Sequence, residues 1–313
     1  MEYFHPTSSE LRISRIGFGC AAVSGHDYGK VDKNQAISAI RKAWDEGVNL
    51  FDTADVYGFG YTETILADAL GIERHQAIIA TKFGVNWDGS GRTYSDCSVR
   101  RMTEALEDSL RRLRLDCIPI YLVHRYDGIT PLSDLMSALK ECQKQGKIRY
   151  IGCSKFSVEM VLEASAIHKM DVIQLPYNLV RREYGPQLSE SIEAQNMSTM
   201  TYDVLARGLL TGKYDKKARF GENDTRSKAR YFTGSCLDSG LQIVKRLERI
   251  GLRHHKTPAQ VAIKWALGKP FVNCVLIGNK HVSQVTENID VFEWSLTQED
   301  RNELEEGIRD TSE

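Results

Sequence analysis

The sequence predicts a (β/α)8 barrel, on three observations. Short apolar segments alternate with amphipathic helical segments along most of the chain, and eight such units can be identified. The predicted strands are apolar throughout, which is typical of parallel strands buried on both faces. The length of 313 residues lies within the range of one such barrel, so residues 1–313 are expected to form a single domain.

The first half of the chain supplies an opening hairpin and four units. Residues 3–13 are expected to form a hairpin that closes the bottom of the barrel. Asp32, Thr62 and Ser98 are typical N-caps, and Gly47 is typical of the residue after a helix. The predicted strands are 16–19, 48–52, 77–82 and 117–123, the first helix is 33–46, the next two begin at Thr62 and Ser98, and 84–96 is a predicted loop.

The second half continues the alternation with one interruption. Residues 206–237 are polar and longer than an ordinary connection, so they are expected to form a functional loop over an opening. Thr257 and Pro258 are typical of a helix start. Pro119 lacks an amide donor and predicts a bulge in the fourth strand. The remaining strands are 148–153, 172–175, 199–202 and 272–277, and the remaining helices are 132–145, 158–168, 187–195, 238–250, 257–267, 281–289 and an extra one at 298–308.

The main alternative architecture is an open doubly wound sheet. Such a sheet usually has a glycine-rich turn between its first strand and a helix. Residues 17–22 resemble that turn, but no helix begins there. A (β/α)8 or TIM barrel with an N-terminal β-hairpin and extra C-terminal helices is therefore the favoured architecture.

Composition and charge exclude several classes of function. The net charge of −1 gives no electrostatic basis for binding nucleic acid or an anionic membrane. No apolar run approaches the roughly 20 residues that span a bilayer, and the first residues do not resemble a signal peptide. The seven cysteines have no metal-ligand spacing and fit free thiols in a reducing compartment. These observations predict a cytoplasmic protein with a small-molecule partner and no metal, and leave its oligomeric state open.

Four side chains with complementary chemistry lie at or just beyond predicted strand ends. Asp52, Lys82 and His124 end strands two, three and four, and Tyr57 lies on the loop after Asp52. Catalytic groups of a (β/α)8 barrel occupy this carboxyl-terminal face. Asp52 can hold Lys82 charged, the ammonium is expected to lower the pKa of Tyr57, and His124 can donate to a carbonyl oxygen. Each residue alone is more often structural, but together they predict a site that protonates an oxygen.

Segments spread along the chain match one multi-part signature. They are 51–54 with Tyr57, Gly58 and Glu63; 80–82; 109–116; 121–124; 152–154; 174–178; 205–213; and 277–278 with 287–288. From about residue 3 to 290 the sequence therefore resembles the aldo-keto reductase superfamily. The resemblance implies NAD(P)H-dependent carbonyl reduction on a (β/α)8 barrel, with Tyr57 as the acid and Asp52, Lys82 and His124 in support.

The resemblance also implies a nicotinamide-cofactor site on the later strands. Ser154 and Gln174 would hold the carboxamide and Tyr202 would stack on the ring, although without the family these are ordinary strand and core side chains. Lys155 replaces the asparagine of the family pattern. Asp203 stands where the family commonly has serine and is expected to point away from phosphates. The residues along the pyrophosphate would be Leu205, Gly208 and Leu210.

The choice between NADP and NAD is expected to depend on the loop after the eighth strand. A helix N-terminus beside Lys280 can seat a 2′-phosphate, so NADPH is favoured over NADH, although such a lysine is also typical of a solvated helix start. The residues expected at the adenosine end of the cofactor are Gly278, Asn279, Lys280, Gln284, Glu287 and Asn288.

Two further residues are candidates for the substrate pocket. Trp87 follows Lys82 in the predicted loop, and Arg125 directly follows His124. Arg125 could meet an acidic or hydroxylated substrate or could form an exposed salt bridge. The arginine-rich run 111–114 is expected to be a solvated helix end.

The leading functional hypothesis is an NADPH-dependent oxidoreductase that reduces an aldehyde or ketone, including a sugar or other hydroxylated carbonyl, to its alcohol. One alternative is an NAD-dependent sugar or polyol dehydrogenase. Another is a cofactor-binding regulatory protein similar to potassium-channel β subunits, against which the complete set of four candidate catalytic residues argues.

Overall fold

Eight parallel strands close into a barrel with helices on its outside, as predicted. The computed structural model describes residues 1–6, 9–25, 28–182, 186–221 and 224–306, of which 186–188 are described by their backbone only. Within these ranges the barrel strands follow one another in chain order, and the last pairs with the first. All neighbouring pairs in the barrel are parallel.

The strands are short and mostly apolar. In chain order they are β1 (Tyr3–Phe4), β2 (Ile13–Ser14), β3 (Ile16–Gly19), β4 (Leu50–Asp52), β5 (Ile78–Phe83), β6 (Val85–Trp87), β7 (Thr93–Ser95), β8 (Ile118–Val123), β9 (Ile148–Ser154), β10 (Val172–Pro176), β11 (Ser198–Tyr202) and β12 (Cys274–Ile277). The barrel order is β3, β4, β5, β8, β9, β10, β11, β12, and the other four strands form two antiparallel hairpins.

At the start of several helices, a side chain accepts a hydrogen bond from a backbone amide of the first turn, which has no partner within the helix. Asp32 and Ser98 do so as predicted, and Thr257 forms a reciprocal capping box with Gln260. The helices are α1 (Lys33–Asp45), α2 (Tyr61–Leu70), α3 (Val99–Leu113), α4 (Leu132–Lys144), α5 (Val158–Ile167), α6 (Pro186–Ala194), α7 (Gly234–His254), α8 (Pro258–Leu267), α9 (Val282–Ile289) and α10 (Gln298–Glu305).

The strand side chains divide between two apolar layers. Successive residues of a strand point to opposite faces, so Leu50 and Ile120 join one cluster while Phe51 and Tyr121 join another. The first cluster also contains Ile13 of β2 and fills the barrel. The second packs beneath the helices. Burial on both faces explains why these strands lack polar alternation.

The N-terminal hairpin closes the bottom of the barrel, as predicted. The amide of Ser14 donates to Asn49 Oδ1, which lies just before β4, over 2.8 Å. Arg15 donates to the carbonyl oxygen of Leu267 over 2.8 Å and to that of Asn273, just before β12, over 3.2 Å. These bonds fix the hairpin to the amino-terminal ends of the barrel strands, so the opposite end is left for a site.

Two sequence predictions about local structure are wrong. Residues 84–96 contain the β6–β7 hairpin, and Trp87 lies on β6 instead of in a loop. Its three-residue strands are too short to give a periodic signal. Pro119 makes no bulge, because Ile118 pairs with Ile148 and Ile120 with Tyr150 in one continuous register. Pairing with β5 begins only at Ile120, so the missing amide donor is tolerated.

Three helix boundaries also differ from the prediction. Helix α2 begins after Gly60, and Thr62 does not cap it because its hydroxyl turns inward to Tyr57 and Thr53. The segment 206–237 is partly ordered into 3-10 turns, and α7 already begins at Gly234. Helix α10 ends at Glu305, and the predicted end at residue 308 lies outside the described residues. In the described part of the chain no helix is long and apolar enough to cross a membrane.

Gly152 provides a test of the barrel packing. A Cβ atom there would lie 2.3 Å from Leu122 Cδ2 and 2.4 Å from the carbonyl oxygen of Val172. Gly152→Ala is therefore expected to lower the free energy of unfolding by about 1–3 kcal/mol, measured by urea denaturation. Gly89→Ala is the control, since a Cβ at Gly89 meets nothing within 4 Å. Equal stability of both variants would contradict this packing.

Candidate active site

The strand register brings the four candidate catalytic residues to one end of the barrel. Asp52 is the last residue of β4 and pairs with Ala80, two residues before Lys82 on β5. Lys82 in turn pairs with Leu122, two residues before His124, and the His124 amide donates to Phe83 over 2.7 Å. These residues therefore converge at the carboxyl-terminal face, where barrel enzymes place their chemistry.

Asp52 and Lys82 form a buried ion pair. Lys82 Nζ lies 2.8 Å from both carboxylate oxygens, and the Lys82 side chain is 1 % exposed. The ammonium also donates to the carbonyl oxygen of Thr53 over 2.6 Å. Gln174 Nε2, from the opposite side of the barrel, donates to Asp52 Oδ1. A buried charge is stable only when it is paired and hydrogen-bonded in this way.

Tyr57 projects from the loop after β4 toward this pair. Its ring meets that of His124 edge-on with centroids 5.7 Å apart, and Lys82 Nζ lies 5.0 Å from its centroid. The predicted lowering of the pKa of Tyr57 is wrong, because the net shift is upward. Burial of the phenol and then the charge of Asp52 raise that pKa well above its usual value. Asp52 offsets the effect of the ammonium, so Tyr57 stays protonated at neutral pH.

His124 is a neutral imidazole in this setting. It is 7 % exposed, and its buried Nδ1 has no hydrogen-bond partner among the described residues. Burial lowers the pKa of His124 well below its usual value, and the positive charges of Lys82, Lys155 and Arg125 lower it further. A neutral imidazole can donate one N–H to an oxygen without carrying a charge.

A second layer of buried acidic side chains and their partners, not predicted from the sequence, lies behind the Tyr57 loop. Glu63 is fully buried and accepts from Thr81 over 2.6 Å and from Arg112 over 2.6 Å. Asp55 is fully buried and pairs with Arg101 at 3.3 Å. The expectation that 111–114 is a solvated helix end is thus wrong for Arg112. The partners are tens of residues apart, so spacing gave no signal.

The predicted carboxamide residues lie side by side. Gln174 on β10 is the register partner of Ser154 on β9, and both are 2 % exposed. Tyr202 ends the next strand, opposite Pro176. Lys155, directly after Ser154, has a φ of 60°, a left-handed conformation that is unusual for a residue other than glycine.

The predicted pyrophosphate loop has an unusual backbone. Asp203, Ala206, Arg207 and Gly208 all have positive φ values. Asp203 accepts from Tyr231 Oη over 2.8 Å and from the Arg207 amide over 3.0 Å, so both its oxygens are used inside the protein. The amides of Gly208 and Leu210 donate to the carbonyl oxygen of Leu205. The role of these residues stays a prediction.

The predicted adenosine end of the site is tied together by hydrogen bonds. Asn288 donates to Asn279 Oδ1 over 2.7 Å, and both are buried. The Lys280 amide donates to Gln284 Oε1 over 2.8 Å. Glu287 accepts a hydrogen bond from the hydroxyl of Thr257, just before α8, over 2.7 Å. A Cβ at Gly278 would come within 2.8 Å of Ala22, so this loop passes close to the one after β3.

The loops after β3, β11 and β12 meet around Arg226, which the sequence did not single out. The Arg226 guanidinium pairs with Asp224 and lies over the rings of Phe220, at 4.9 Å, and Tyr28, at 6.0 Å. Lys280 Nζ donates to the carbonyl oxygen of Tyr28. This contact joins the loop after β12 to the loop after β3, at the end of the barrel where the cofactor is predicted to bind.

The two candidate pocket residues are both associated with the β6–β7 hairpin. Trp87 is half-buried, with its ring 5.5 Å from that of Phe59 on the Tyr57 loop. Arg125 is exposed, and its Nε donates to Ser95 Oγ on β7 over 2.7 Å. The described residues contain no group of three or more side chains that could hold a metal ion.

Similarity to known proteins shows that this barrel is an oxidoreductase and gives its family. Residues 15–309 match the aldo/keto reductase family. The chain belongs to this family, whose members use nicotinamide cofactors, and the resemblance found in the sequence is confirmed.

Individual relatives match along nearly the whole chain. The aldo-keto reductase YhdN of Bacillus subtilis (strain 168) is 32 % identical over 314 residues, which cover 99 % of this chain and 95 % of that protein. The protein named aldo-keto reductase yakc [NADP(+)] of Schizosaccharomyces pombe is 31 % identical, and the match covers 94 % of this chain and 88 % of that protein. The solved structure of glycerol dehydrogenase AKR11B4 from Gluconobacter oxydans matches with a TM-score of 0.89 and 32 % identity. The match covers 97 % of this chain and 94 % of that one.

Asp55 gives a pH-dependent prediction for the layer behind Tyr57. Burial and then the charge of Glu63 raise the pKa of Asp55 from 3.8 to about 7, against the opposing effect of Arg101. The folded state therefore binds a proton more tightly than the unfolded state. Its contribution to stability is complete below about pH 4 and is lost as the pH rises through 7. Relative to Asp55→Asn, the wild type should lose at most about 4 kcal/mol of unfolding free energy between these values.

Chemical denaturation at a series of pH values measures this difference. Asp68→Asn is the control with the opposite sign, because hydrogen bonding to Arg114 lowers the pKa of Asp68. For that residue the wild type should lose stability as the pH falls. A wild-type advantage over Asp55→Asn that grew with rising pH would contradict the proposed protonation of Asp55.

Proposed function

We propose that the protein reduces a small aldehyde or ketone to its alcohol with NADPH, with Tyr57 as the general acid. The observation that carries this proposal is the convergence of Tyr57, His124 and the buried Asp52–Lys82 pair on one point at the barrel end. Family membership supports nicotinamide-dependent carbonyl chemistry. The four groups are suited to placing a proton on an oxygen that gains negative charge.

Each residue has a distinct part in this proposal. The neutral imidazole of His124 donates a hydrogen bond to the carbonyl oxygen, and because it is uncharged it does not compete with Tyr57 as the proton donor. Tyr57, a neutral phenol in the free protein, gives its proton to the oxygen as an alkoxide develops, because an alkoxide is a stronger base than a phenolate. Lys82, fixed by Asp52, lies beside the ring and stabilises the phenolate left behind.

The residues present fit a nicotinamide cofactor. Ser154 and Gln174 are register partners, and the amide nitrogen of Gln174 goes to Asp52, which leaves its carbonyl oxygen for a carboxamide donor. Ser154, Gln174 and Tyr202 would hold the nicotinamide, with the pyrophosphate along the loop of positive φ values from 203 to 208. When bound, the cofactor supplies the hydride.

NADPH is preferred to NADH in this proposal because of Lys280. Lys280 lies in the short loop between β12 and α9. Burial lowers the pKa of Lys280, and the charge of the Arg226 guanidinium lowers it further. An anionic 2′-phosphate would relieve this repulsion. The relative from Schizosaccharomyces pombe, whose name specifies NADP(+), supports the same choice.

A second candidate is the oxidation of a hydroxylated compound such as a polyol or sugar. The similarity to the glycerol dehydrogenase of Gluconobacter oxydans, at a TM-score of 0.89, favours it. The same residues serve both directions, since Tyr57 would then accept the proton that it donates in reduction. The two candidates differ in substrate and direction and share one site.

Replacing Tyr57 tests the proposed acid. Tyr57→Phe removes the proton while keeping the ring, so kcat for reduction should fall by about 10²–10⁴ while the Kd for NADPH stays near the wild-type value. Steady-state kinetics with an aldehyde panel and a cofactor titration measure the two quantities.

Tyr61→Phe is the matched control, because Tyr61 is 37 % exposed on α2 and lies outside the four-residue set. It should leave kcat unchanged. Near-normal reduction by Tyr57→Phe would remove the phenol from the mechanism without affecting the family assignment.

Replacing Lys280 tests the seat of the 2′-phosphate. Lys280→Ala should weaken the binding of NADPH by about tenfold or more and that of NADH much less, because only NADPH presents the extra phosphate. Lys245→Ala, on the exposed side of α7, should leave both unchanged. Equal losses for the two cofactors would mean that the 2′-phosphate binds elsewhere.

A further inference from the structure

Two neighbouring barrel strands are each followed by a cation at the mouth of the site. Val123 of β8 pairs with Cys153 of β9, so the residues that come next, His124 and Ser154, lie beside each other. Arg125 follows the first and Lys155 the second, and both are exposed. The register therefore places two positive side chains next to the imidazole of the proposed site.

Neither cation is neutralised by another residue in the described part of the chain. Among the described residues, Arg125 and Lys155 form no ion pair, and Arg125 donates only through Nε, to Ser95 Oγ. The nearest acid along the chain, Asp127, is fully used in a turn. Its carboxylate accepts from the amides of Cys97, Ile129 and Thr130 over 2.7–2.9 Å and from the Thr130 hydroxyl over 2.7 Å. The two Nη nitrogens of Arg125 are thus available to a ligand.

Lys155 is held in a costly backbone conformation. Its φ of 60° is one that asparagine, the residue of the family pattern, tolerates better than lysine. Strained residues of this kind are concentrated at functional sites, where the strain positions a group that is used.

The charges around the mouth of the site favour the binding of an anion. Desolvation of the ammonium by the surrounding protein lowers the pKa of Lys155 to about 8, and the charges of Arg125, Lys82, Arg207 and Arg181 lower it further. Cations that repel one another in this way are stabilised when an anion binds between them. Lysine acts as a point charge and arginine as a planar fork, and both suit carboxylate or phosphate oxygens.

We infer that Arg125 and Lys155 bind an anionic group of the substrate, so that the protein acts on carbonyl compounds that carry a carboxylate or a phosphate. The inference rests on the proposed function, since it concerns the part of the substrate that is remote from the carbonyl group bound by Tyr57 and His124. The competing reading is that Lys155 serves the cofactor. Lys155 is close enough to Arg207, in the loop after β11, to feel its charge. The position of both cations directly after β8 and β9, beside His124, nevertheless favours the substrate.

Matched substrate pairs that differ in charge test this inference. The pairs are 4-formylbenzoate with its methyl ester, and glyceraldehyde 3-phosphate with glyceraldehyde, each reduced with NADPH. In the wild type kcat/KM should favour the anionic member of at least one pair by about tenfold or more. The pair that shows the preference distinguishes a carboxylate from a phosphate. Lys155→Met and Arg125→Met should each reduce that preference by about tenfold, and Lys155→Arg should retain most of it.

Lys140→Met is the control, because Lys140 is exposed on α4, outside the mouth. It should leave the preference at the wild-type value. Reduction of the neutral compounds without any preference for the anions would overturn the inference and leave the proposed function intact. Equal losses on both members of a pair, with a weaker Kd for NADPH in Lys155→Met, would overturn it by assigning Lys155 to the cofactor. Failure to reduce any of the four compounds or a wider carbonyl panel would instead remove the proposed function itself, and the inference with it.

Discussion

The buried ion pair between Asp52 and Lys82 is the interaction on which the rest of the site depends. Lys82 is 1 % exposed, so its charge is stable only while β4 and β5 keep the register that places Asp52 beside it. Gln174 also donates to Asp52 from β10, which is the fourth strand away from β4 in either direction around the barrel. The pair therefore links opposite walls of the barrel and joins the proposed catalytic groups to the proposed cofactor seat.

The charge of this pair, together with burial, sets the protonation of its neighbours. Asp52 offsets Lys82 and helps to keep the phenol of Tyr57 protonated, while Lys82 and the cations at the mouth help to keep His124 neutral. Both groups are then proton donors at neutral pH. Behind them, the pairs of Glu63 with Arg112 and Asp55 with Arg101 hold the Tyr57 loop in place. The proposed site is therefore supported from behind by buried acidic side chains and their arginine partners.

Much of the fold could be predicted from the sequence because its signals are local. Strand composition, caps such as Asp32 and Ser98, and the helix start at Pro258 each depend on neighbouring residues, and the structure has these elements within a few residues of their predicted bounds. The wrong predictions of local structure have equally local causes. The β6–β7 hairpin is too short to show alternation, and Pro119 lies where pairing with β5 has not begun. Thr62 resembles a helix cap, but its hydroxyl forms hydrogen bonds with the Thr53 hydroxyl and the carbonyl oxygen of Tyr57 instead.

By itself, the sequence determined the barrel, the family and the identity of the four strand-end groups, because the end of a parallel strand can be located without knowing its neighbours. Only the tertiary structure decided their charge states and partners. The pKa of Tyr57 moves opposite to expectation, and Arg112, expected in solvent, pairs with a carboxylate 49 positions away. The energies of such groups depend on burial and on charges brought close by folding, which no local pattern encodes.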